Sequence, residues 1–292
     1  MNYIHHDTVV KRMSKRLLKN KIYKTLFLSA TLLALLVLAV LGYRMITQGA
    51  GYLNWDFLNN FSSRFPQNAG IKAALVGSIW LLAVVAPVSL ILGVGAAVYL
   101  EEYAKKNRIT TFIQMNISNL AGVPSIVFGL LGLTIFVRML GMGKSVLAAG
   151  LTMSLLILPV IIVAAQEAIR AVPNELREAS YGIGATKWQT ILKVVLPSAI
   201  PGILTGGILA LSRAIGETAP LVVIGIPVII HFLPESIFSE FTALPMQIFD
   251  WAKRPQEEFQ YVAAAGILVL MAVLVFMNSI AVIIRNKFSK RY

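Results

Sequence analysis

The sequence has no cysteine and few charged residues, and each shortage removes a class of protein. Without cysteine, the chain has no disulfide framework, no thiolate metal site and no cysteine nucleophile. Only 13% of its 292 residues are charged, whereas 57% are hydrophobic, and the mean hydropathy is +0.76. Soluble domains carry roughly 25% charged residues. The apolar residues must therefore face lipid, and the composition predicts an all-α integral membrane protein.

Motifs of catalysis and nucleotide binding are also lacking. No HExxH or GxSxG motif is present, and the three histidines do not have a metal-binding spacing. The segment that ends in Gly143-Lys-Ser145 has Arg138 where a nucleotide-binding loop needs its first glycine. We therefore expect that the chain is not an enzyme and that it has no bound metal and no cofactor of its own.

Six apolar runs are long enough to cross a bilayer as helices. A hydrocarbon core of about 30 Å needs about 20 helical residues. The runs cover residues 26–46, 73–100, 121–140, 146–165, 203–229 and 262–284. The polar stretch 109–120 is predicted to be a helix on the inner surface. About six transmembrane helices are therefore expected.

Basic residues predict how the chain is oriented, because positive loops stay in the cytoplasm. If the N-terminus is inside, 18 of the 26 Lys and Arg residues fall in inner segments. They cluster at the ends of apolar runs, which argues against a nucleic-acid-binding surface. We expect both termini in the cytoplasm. The predicted divisions are a basic N-terminal segment (1–25), a first membrane anchor (26–46), an external loop (47–72), a five-helix core (73–284) with an inner loop at 166–202, and a cytoplasmic tail (285–292).

The inner loop has the pattern of two helices joined by a turn. Pro173 can start a helix, which Gly182 and Gly184 interrupt. Residues 187–196 can form a second helix, and Pro197 is expected to end it. Two helices of mixed polarity that are too short to cross a membrane are suited to contact with another protein.

The fifth apolar run contains a charged pair. Arg213 lies about ten residues, hence about 15 Å, from the inner end of the run, which is mid-bilayer. A charge there costs about 2.5–3.5 kcal/mol, so it is a candidate functional residue. Glu217 is predicted one helical turn above it, and Pro220 weakens the helix beside them. The guanidinium fork fits the oxygens of phosphate, which predicts an anion path. The alternative is a self-neutralising pair that joins helices.

The inner loop resembles the cytoplasmic loop shared by permeases of ABC importers. That loop reads E-A-A, three residues, Gly, nine residues, Ile, one residue, Leu-Pro. This chain has Ser for the second Ala and Val for the Ile, and the matching residues are Glu178, Ala179, Ser180, Gly184, Val194, Leu196 and Pro197. The resemblance implies the type I importer permease fold, with these residues coupling the chain to an ATP-binding subunit.

A narrower resemblance concerns the charged pair. The run Arg-Ala-Ile-Gly-Glu-Thr at 213–218 is similar to phosphate-importer permeases, and the following Ala-Pro-Leu resembles their PstA type. The segments 122–132 and 244–252 resemble the same type, and the likeness covers about residues 70–292. It implies transport of inorganic phosphate across a bacterial inner membrane. It also implies a PstC-like second permease, two PstB-like subunits that use ATP, and an external PstS-like phosphate-binding protein.

Three other functions remain open from the sequence. Permeases for sulfate or molybdate have a similar Arg and Gly-Glu but usually phenylalanine at the position of Thr218. A non-transporting scaffold would use the inner loop only for docking, but it has no need for a charge in mid-span. An ion-coupled carrier has no need for an ATPase-docking loop.

Overall fold

The computed structural model describes the backbone of residues 6–288, and side chains for residues 13 and 16–287. Residues 1–5 of the predicted basic segment and 289–292 of the predicted tail lie outside the described residues. Within this range the chain consists of helices and loops. The helices are α1 (His6–Gly49), α2 (Trp55–Asn59), α3 (Lys72–Val98), α4 (Arg108–Leu120), α5 (Ser125–Gly132), α6 (Val146–Arg170), α7 (Asn174–Gly182), α8 (Lys187–Thr190), α9 (Leu196–Gly216), α10 (Ala219–Ile224), α11 (Leu244–Lys253) and α12 (Glu257–Phe288).

Three π-helical stretches extend these helices. Tyr99–Tyr103 continues α3, Leu133–Met139 continues α5, and Ile191–Val195 joins α8 to α9 without a break. Two short 3-10 turns, Ala50–Tyr52 and Pro66–Asn68, lie in the loop before α3.

The membrane-spanning helices confirm the prediction of about six spans. Five helices are long and apolar enough to cross a bilayer, and they are Arg16–Tyr52, Lys72–Tyr103, Val146–Arg170, Lys187–Gly216 and Glu257–Lys287. A sixth span results if α4 and the extended α5 count together, although these two are bent by 102°. The predicted span 121–140 corresponds to Ser125–Met139, and α4 is the helix predicted at 109–120.

The first helix lies at the edge of the molecule. Helix α1 includes the predicted anchor and most of the basic segment before it. None of its most apolar stretch is buried against the rest of the chain. Its C-terminal end contacts α12 closely, because a Cβ on Gly49 would come within 2.6 Å of the Ala265 nitrogen. Most of this helix therefore faces lipid or another subunit.

The core is formed by α3, α6 and α9, which small residues allow to pack closely. A Cβ on Gly93 of α3 would lie 2.5 Å from Ile161 of α6. On α9, a Cβ on Gly202 would lie 2.7 Å from the Cβ of Ala168, and Gly206 contacts Ala164 in the same way. Close backbone approach at small residues is how membrane helices associate.

Pro197 does not end a helix, contrary to the prediction. It lies in the first turn of α9, and the helix continues from Lys187 to Gly216. The π-helical stretch before it supplies the physical reason. The Leu196 nitrogen bonds to the Ile191 carbonyl five residues earlier, and this wider turn leaves room for the proline ring.

The predicted span 203–229 is also wrong as a single helix. Helix α9 ends at Gly216, and α10 begins at Ala219 with Pro220 in its first turn. Proline has no N–H for the carbonyl four residues earlier, and its ring collides with that carbonyl. Glu217 and Thr218 therefore form a break, and α10 ends at Gly225 in a left-handed conformation with φ 79°.

We expect Gly206→Ala to destabilise the helix core, because the added methyl group meets Ala164. Overpacking costs about 1–3 kcal/mol. Gly95→Ala is the matched control, since a Cβ there has nothing within 4 Å and gains helix propensity. The measurement is the temperature at which the chain in mild detergent loses its monodisperse elution peak. Equal shifts for both variants would contradict the packing assignment.

Candidate functional site

Arg213, one helical turn before the break between α9 and α10, lies about halfway along the neighbouring helix α6. Gly202 is level with Ala168 and Gly206 with Ala164, so α9 and α6 run antiparallel with these residues in register. Arg213 is seven residues, hence about 10 Å, beyond Gly206. It is therefore level with Ile157, near the middle of Val146–Arg170. This register agrees with the mid-bilayer depth expected for Arg213.

Arg213 and Glu217 are close in sequence but do not form the predicted one-turn pair. Arg213 is in the last turn of α9 and is exposed, whereas Glu217 is half-buried and has extended backbone angles, φ −82° and ψ 121°. Among the described residues, no ion pair within 4.0 Å joins these two side chains. The prediction assumed an unbroken helix, and the break turns Glu217 away from the i+4 position.

Two contacts fix the helices on either side of the break. Ser212 Oγ lies 2.7 Å from Asn278 Oδ1, which ties α9 to α12. On the other side, a Cβ on Gly129 of α5 would come within 2.9 Å of both the Pro220 Cα and the Val223 Cβ of α10. Glycine at 129 thus lets α5 lie directly against the short helix.

The cavity beside the break is too small to hold an anion such as phosphate. The cavity that Ala214 and Ile215 line has a volume of about 10 Å³, enough for one water molecule, and its other lining residues are mostly apolar. Arg213 instead lies on the surface of the chain. Across the described part of the chain, no three His, Cys, Asp or Glu side chains come together as metal ligands.

The inner loop forms a compact helical hairpin of α7 and α8. Gly184 has φ +86°, a left-handed conformation that favours glycine. Thr186 begins α8 with a capping box, in which its side chain accepts from the Gln189 nitrogen and the Gln189 side chain accepts in return. Ser180 Oγ lies 2.9 Å from Thr190 Oγ1 in the buried contact between the two helices.

The seven predicted coupling residues divide by exposure. Glu178, Ala179, Gly184 and Pro197 are exposed, Val194 and Leu196 are half-buried, and Ser180 is buried. Ser180 therefore holds the hairpin together rather than offering a surface to a partner.

Sequence reasoning missed an apolar tip on this hairpin. Ile183 is 89% exposed, Trp188 57% and Tyr181 43%. Large apolar residues at the ends of two short polar helices were the available signal, since such exposure marks an interaction surface.

Sequence reasoning also missed the contacts that join the inner loop, residues 166–202, to α3. Glu101 accepts hydrogen bonds from Arg170, with the Arg170 Nη2 at 2.6 Å, and Glu102 accepts from Arg177, with the Nη2 at 3.1 Å. Lys187 Nζ lies 4.9 Å from the centre of the Tyr103 ring. These pairs are distant in sequence, so only the run of two acidic residues at 101 and 102 hinted at them.

Known proteins resemble this chain over most of its length. It is 34% identical to the phosphate transport system permease protein PstA 1 of Mycobacterium tuberculosis strain CDC 1551, over 95% of this chain and 92% of the relative. It is 30% identical to PstA of Yersinia pestis, over 95% and 93%. It is 38% identical to the probable ABC transporter permease protein YqgI of Bacillus subtilis, but the match spans only 66% of either chain.

Solved structures show the same fold. A chain of a bacterial alginate ABC transporter matches with a TM-score of 0.62 and 15% identity, over 94% of this chain and 98% of that one. A chain of the MetNI methionine ABC transporter in an inward-facing conformation matches with a TM-score of 0.58 and 16% identity, over 75% and 98%. The predicted importer-permease fold is thereby confirmed. The family model for the inner membrane component of binding-protein-dependent transport systems matches residues 89–290, and the chain belongs to this family.

Proposed function

We propose that this chain is the membrane-spanning permease subunit of an ATP-driven importer of inorganic phosphate. The observation that carries the proposal is an exposed guanidinium, that of Arg213, at half depth beside a broken helix. A charge facing lipid at this depth costs about 2.5–3.5 kcal/mol even on the lenient insertion scale. The surface around Arg213 therefore faces a water-filled path or a second protein surface.

A path at the surface of one chain needs a second chain to close it. The cavity beside the break, at about 10 Å³, is too small for phosphate, and Arg213 lies on the surface of the chain; both observations favour a path between two permease subunits. A PstC-like permease is the proposed partner. Broken membrane helices are tolerated where they line such a cavity, because water or protein then satisfies the free backbone groups.

The chemistry of the break suits an oxyanion. Arginine keeps its charge at any physiological pH, and its planar donors can bind two phosphate oxygens at once. Glu217 lies beside the path without being paired to Arg213, so its negative charge weakens anion binding and favours release. The absence of that ion pair within the described residues also weakens the alternative in which the two residues only neutralise each other.

Phosphate is favoured over sulfate or molybdate by the relatives. Two proteins named as phosphate transport permeases match over more than nine tenths of this chain. A scaffold without transport remains the candidate of a different class, but it leaves the mid-depth charge of Arg213 without a purpose.

The helical hairpin of α7 and α8 is the proposed docking site for the ATPase. Its exposed tip of Tyr181, Ile183 and Trp188 offers apolar surface that water disfavours, and Glu178 beside it offers a charge. Two PstB-like subunits would hydrolyse ATP, so this chain itself is not an enzyme and binds no cofactor. A PstS-like protein would deliver phosphate on the outer side, and both termini would lie in the cytoplasm.

We expect Arg213→Gln to lower phosphate uptake at least about tenfold, because a hydrogen bond to a charged group contributes about 1.5–3 kcal/mol. Arg213→Lys should recover little, since a point charge lacks the planar fork. Arg44→Gln in the peripheral helix α1 is the matched control and should transport normally. Uptake of labelled phosphate into membrane vesicles, corrected for the amount of the complex, is the measurement.

The double variant Arg213→Gln with Glu217→Gln separates an anion path from a neutral pair. An anion path stays inactive without its guanidinium, whereas a pair that only balances charge works again once both charges are gone. Near-normal uptake by the double variant would defeat the anion-path assignment.

We expect Gly184→Ala to weaken binding of the ATPase, because a side chain in the left-handed region costs roughly 1–2 kcal/mol, a factor of about 5 to 30. Gly182→Ala is the matched control: this residue lies two positions away, has no positive φ, and a Cβ there meets nothing within 4 Å. Co-purification of the ATPase with the tagged permease measures the effect. Equal recovery with both variants would argue against docking through this turn.

We expect a cysteine at Gln256 to react with an impermeant thiol reagent added outside intact cells, and one at Lys106 to react only after the membrane is opened. Both side chains are exposed, and the chain has no native cysteine. Asn107 and Gln189 are unsuitable sites, since their side chains cap α4 and α8. The reverse labelling pattern would put the hairpin outside the cell and rule out ATPase docking.

A further inference from the structure

The π-helical end of α3 is tied to three different parts of the inner loop. Glu101 binds Arg170 at the end of α6, with Nη2 at 2.6 Å and Nε at 2.9 Å. The next residue, Glu102, binds Arg177 in the middle of α7. The ring of Tyr103 lies under the ammonium group of Lys187, the first residue of α8.

The bond between Glu102 and Arg177 is the most enclosed of these. The side chains are 9% and 16% exposed, and the Arg177 Nη2 and Nε lie 3.1 and 3.4 Å from Glu102 Oε1. Arg177 also donates to the carbonyls of Val172 at 2.6 Å and Ile169 at 2.9 Å. One guanidinium therefore joins the hairpin to the ends of both α3 and α6. Removing one partner of a largely buried ion pair destabilises a protein far more than removing one partner of a surface pair.

The neighbouring pair of Glu101 and Arg170 has a different connection. Arg170 is 48% exposed, and it closes α6, so the pair joins two spans to each other and leaves out α7. Gln166 also donates to Glu101 at 2.8 Å, so this carboxylate has a second partner in α6. Two adjacent glutamates thus bind arginines on different elements, and of the two only Glu102 reaches the hairpin.

We propose that Glu102 and Arg177 are positioning residues through which a movement of the hairpin reaches α3. This inference rests on the proposed docking of an ATPase at the hairpin. From Glu102 the movement has a packed route, because α3 contacts α6 at Gly93 and Ile161, and α6 contacts α9 at Ala164 and Gly206. Helix α9 carries Arg213 at its outer end.

The test follows the hairpin and the end of α3 separately, each with an environment-sensitive fluorophore on a single cysteine. One label is at Glu175 in the first turn of α7, and the other is at Lys106, just beyond the π-helical end of α3; both positions are exposed. The purified complex with its ATPase, made cysteine-free, is placed in lipid nanodiscs, and ATP is added. In the otherwise unchanged chain both labels should respond.

With Glu102→Gln we expect the Glu175 label to respond as before and the response at Lys106 to fall at least about fivefold, the low end of coupling between linked sites. Glu101→Gln, the matched control, should leave both responses intact. Glu102→Asp keeps the charge opposite Arg177 and should recover most of the Lys106 response.

Three results would overturn the proposal. An unchanged Lys106 response in Glu102→Gln means that the movement reaches α3 by another route. Loss of both responses in that variant means that the pair only keeps the hairpin folded. The assay needs ATP but no phosphate, so a failure of the complex to import phosphate would refute the proposed substrate without altering either label. A complex in which neither label responds to ATP in the unchanged chain would refute coupling through the hairpin altogether.

Discussion

The hydrocarbon core of the bilayer has no water to solvate a charge or a free backbone group, and this constraint governs the arrangement around Arg213. Helix α9 ends at Gly216, three residues beyond Arg213, which leaves carbonyl groups without helical partners. Arg213 in the last turn brings a positive charge to the negative end of that helix. Neither feature is stable against lipid, so both require a polar surface opposite them. The chain is therefore complete only when another protein or a water-filled path covers this face.

The sequence predicted the spans well because hydropathy is a local property. The predicted effect of proline on the helices, however, was wrong at two positions. At Pro197 a helix end was expected, and a π-helical turn absorbs the ring instead. At Pro220 a continuous span was expected, and the helix breaks. The same residue type thus had opposite outcomes. The difference lies in the surroundings: α5 packs against α10 at Gly129 and holds the second segment in place, a contact that no local pattern reveals.

Side-chain contacts between distant segments could not be predicted from the sequence, because they also depend on packing that no local pattern reveals. The bond of Glu102 to Arg177 joins residues 75 positions apart, and the bond of Ser212 to Asn278 joins residues 66 apart. By contrast, the turn at Gly184 was predictable, since the need for a positive φ is local. Ser180 was recognised only as a departure from a pattern. Its hydroxyl is buried against that of Thr190, so each of the two hydroxyls gives the other a hydrogen-bond partner.

One continuous helix connects the hairpin to the break, because it begins with α8 and ends at Gly216. From Lys187 to Arg213 the helix runs without interruption, a distance of roughly 39 Å at 1.5 Å per residue. Such a rod can transmit a rotation or a tilt at its Lys187 end to the guanidinium near its other end. The bond between Glu102 and Arg177 adds a second connection, through α3 and α6, to the same helix. If an ATPase docks at its apolar tip as proposed, a hairpin held by both connections would move together with the helices that surround the break.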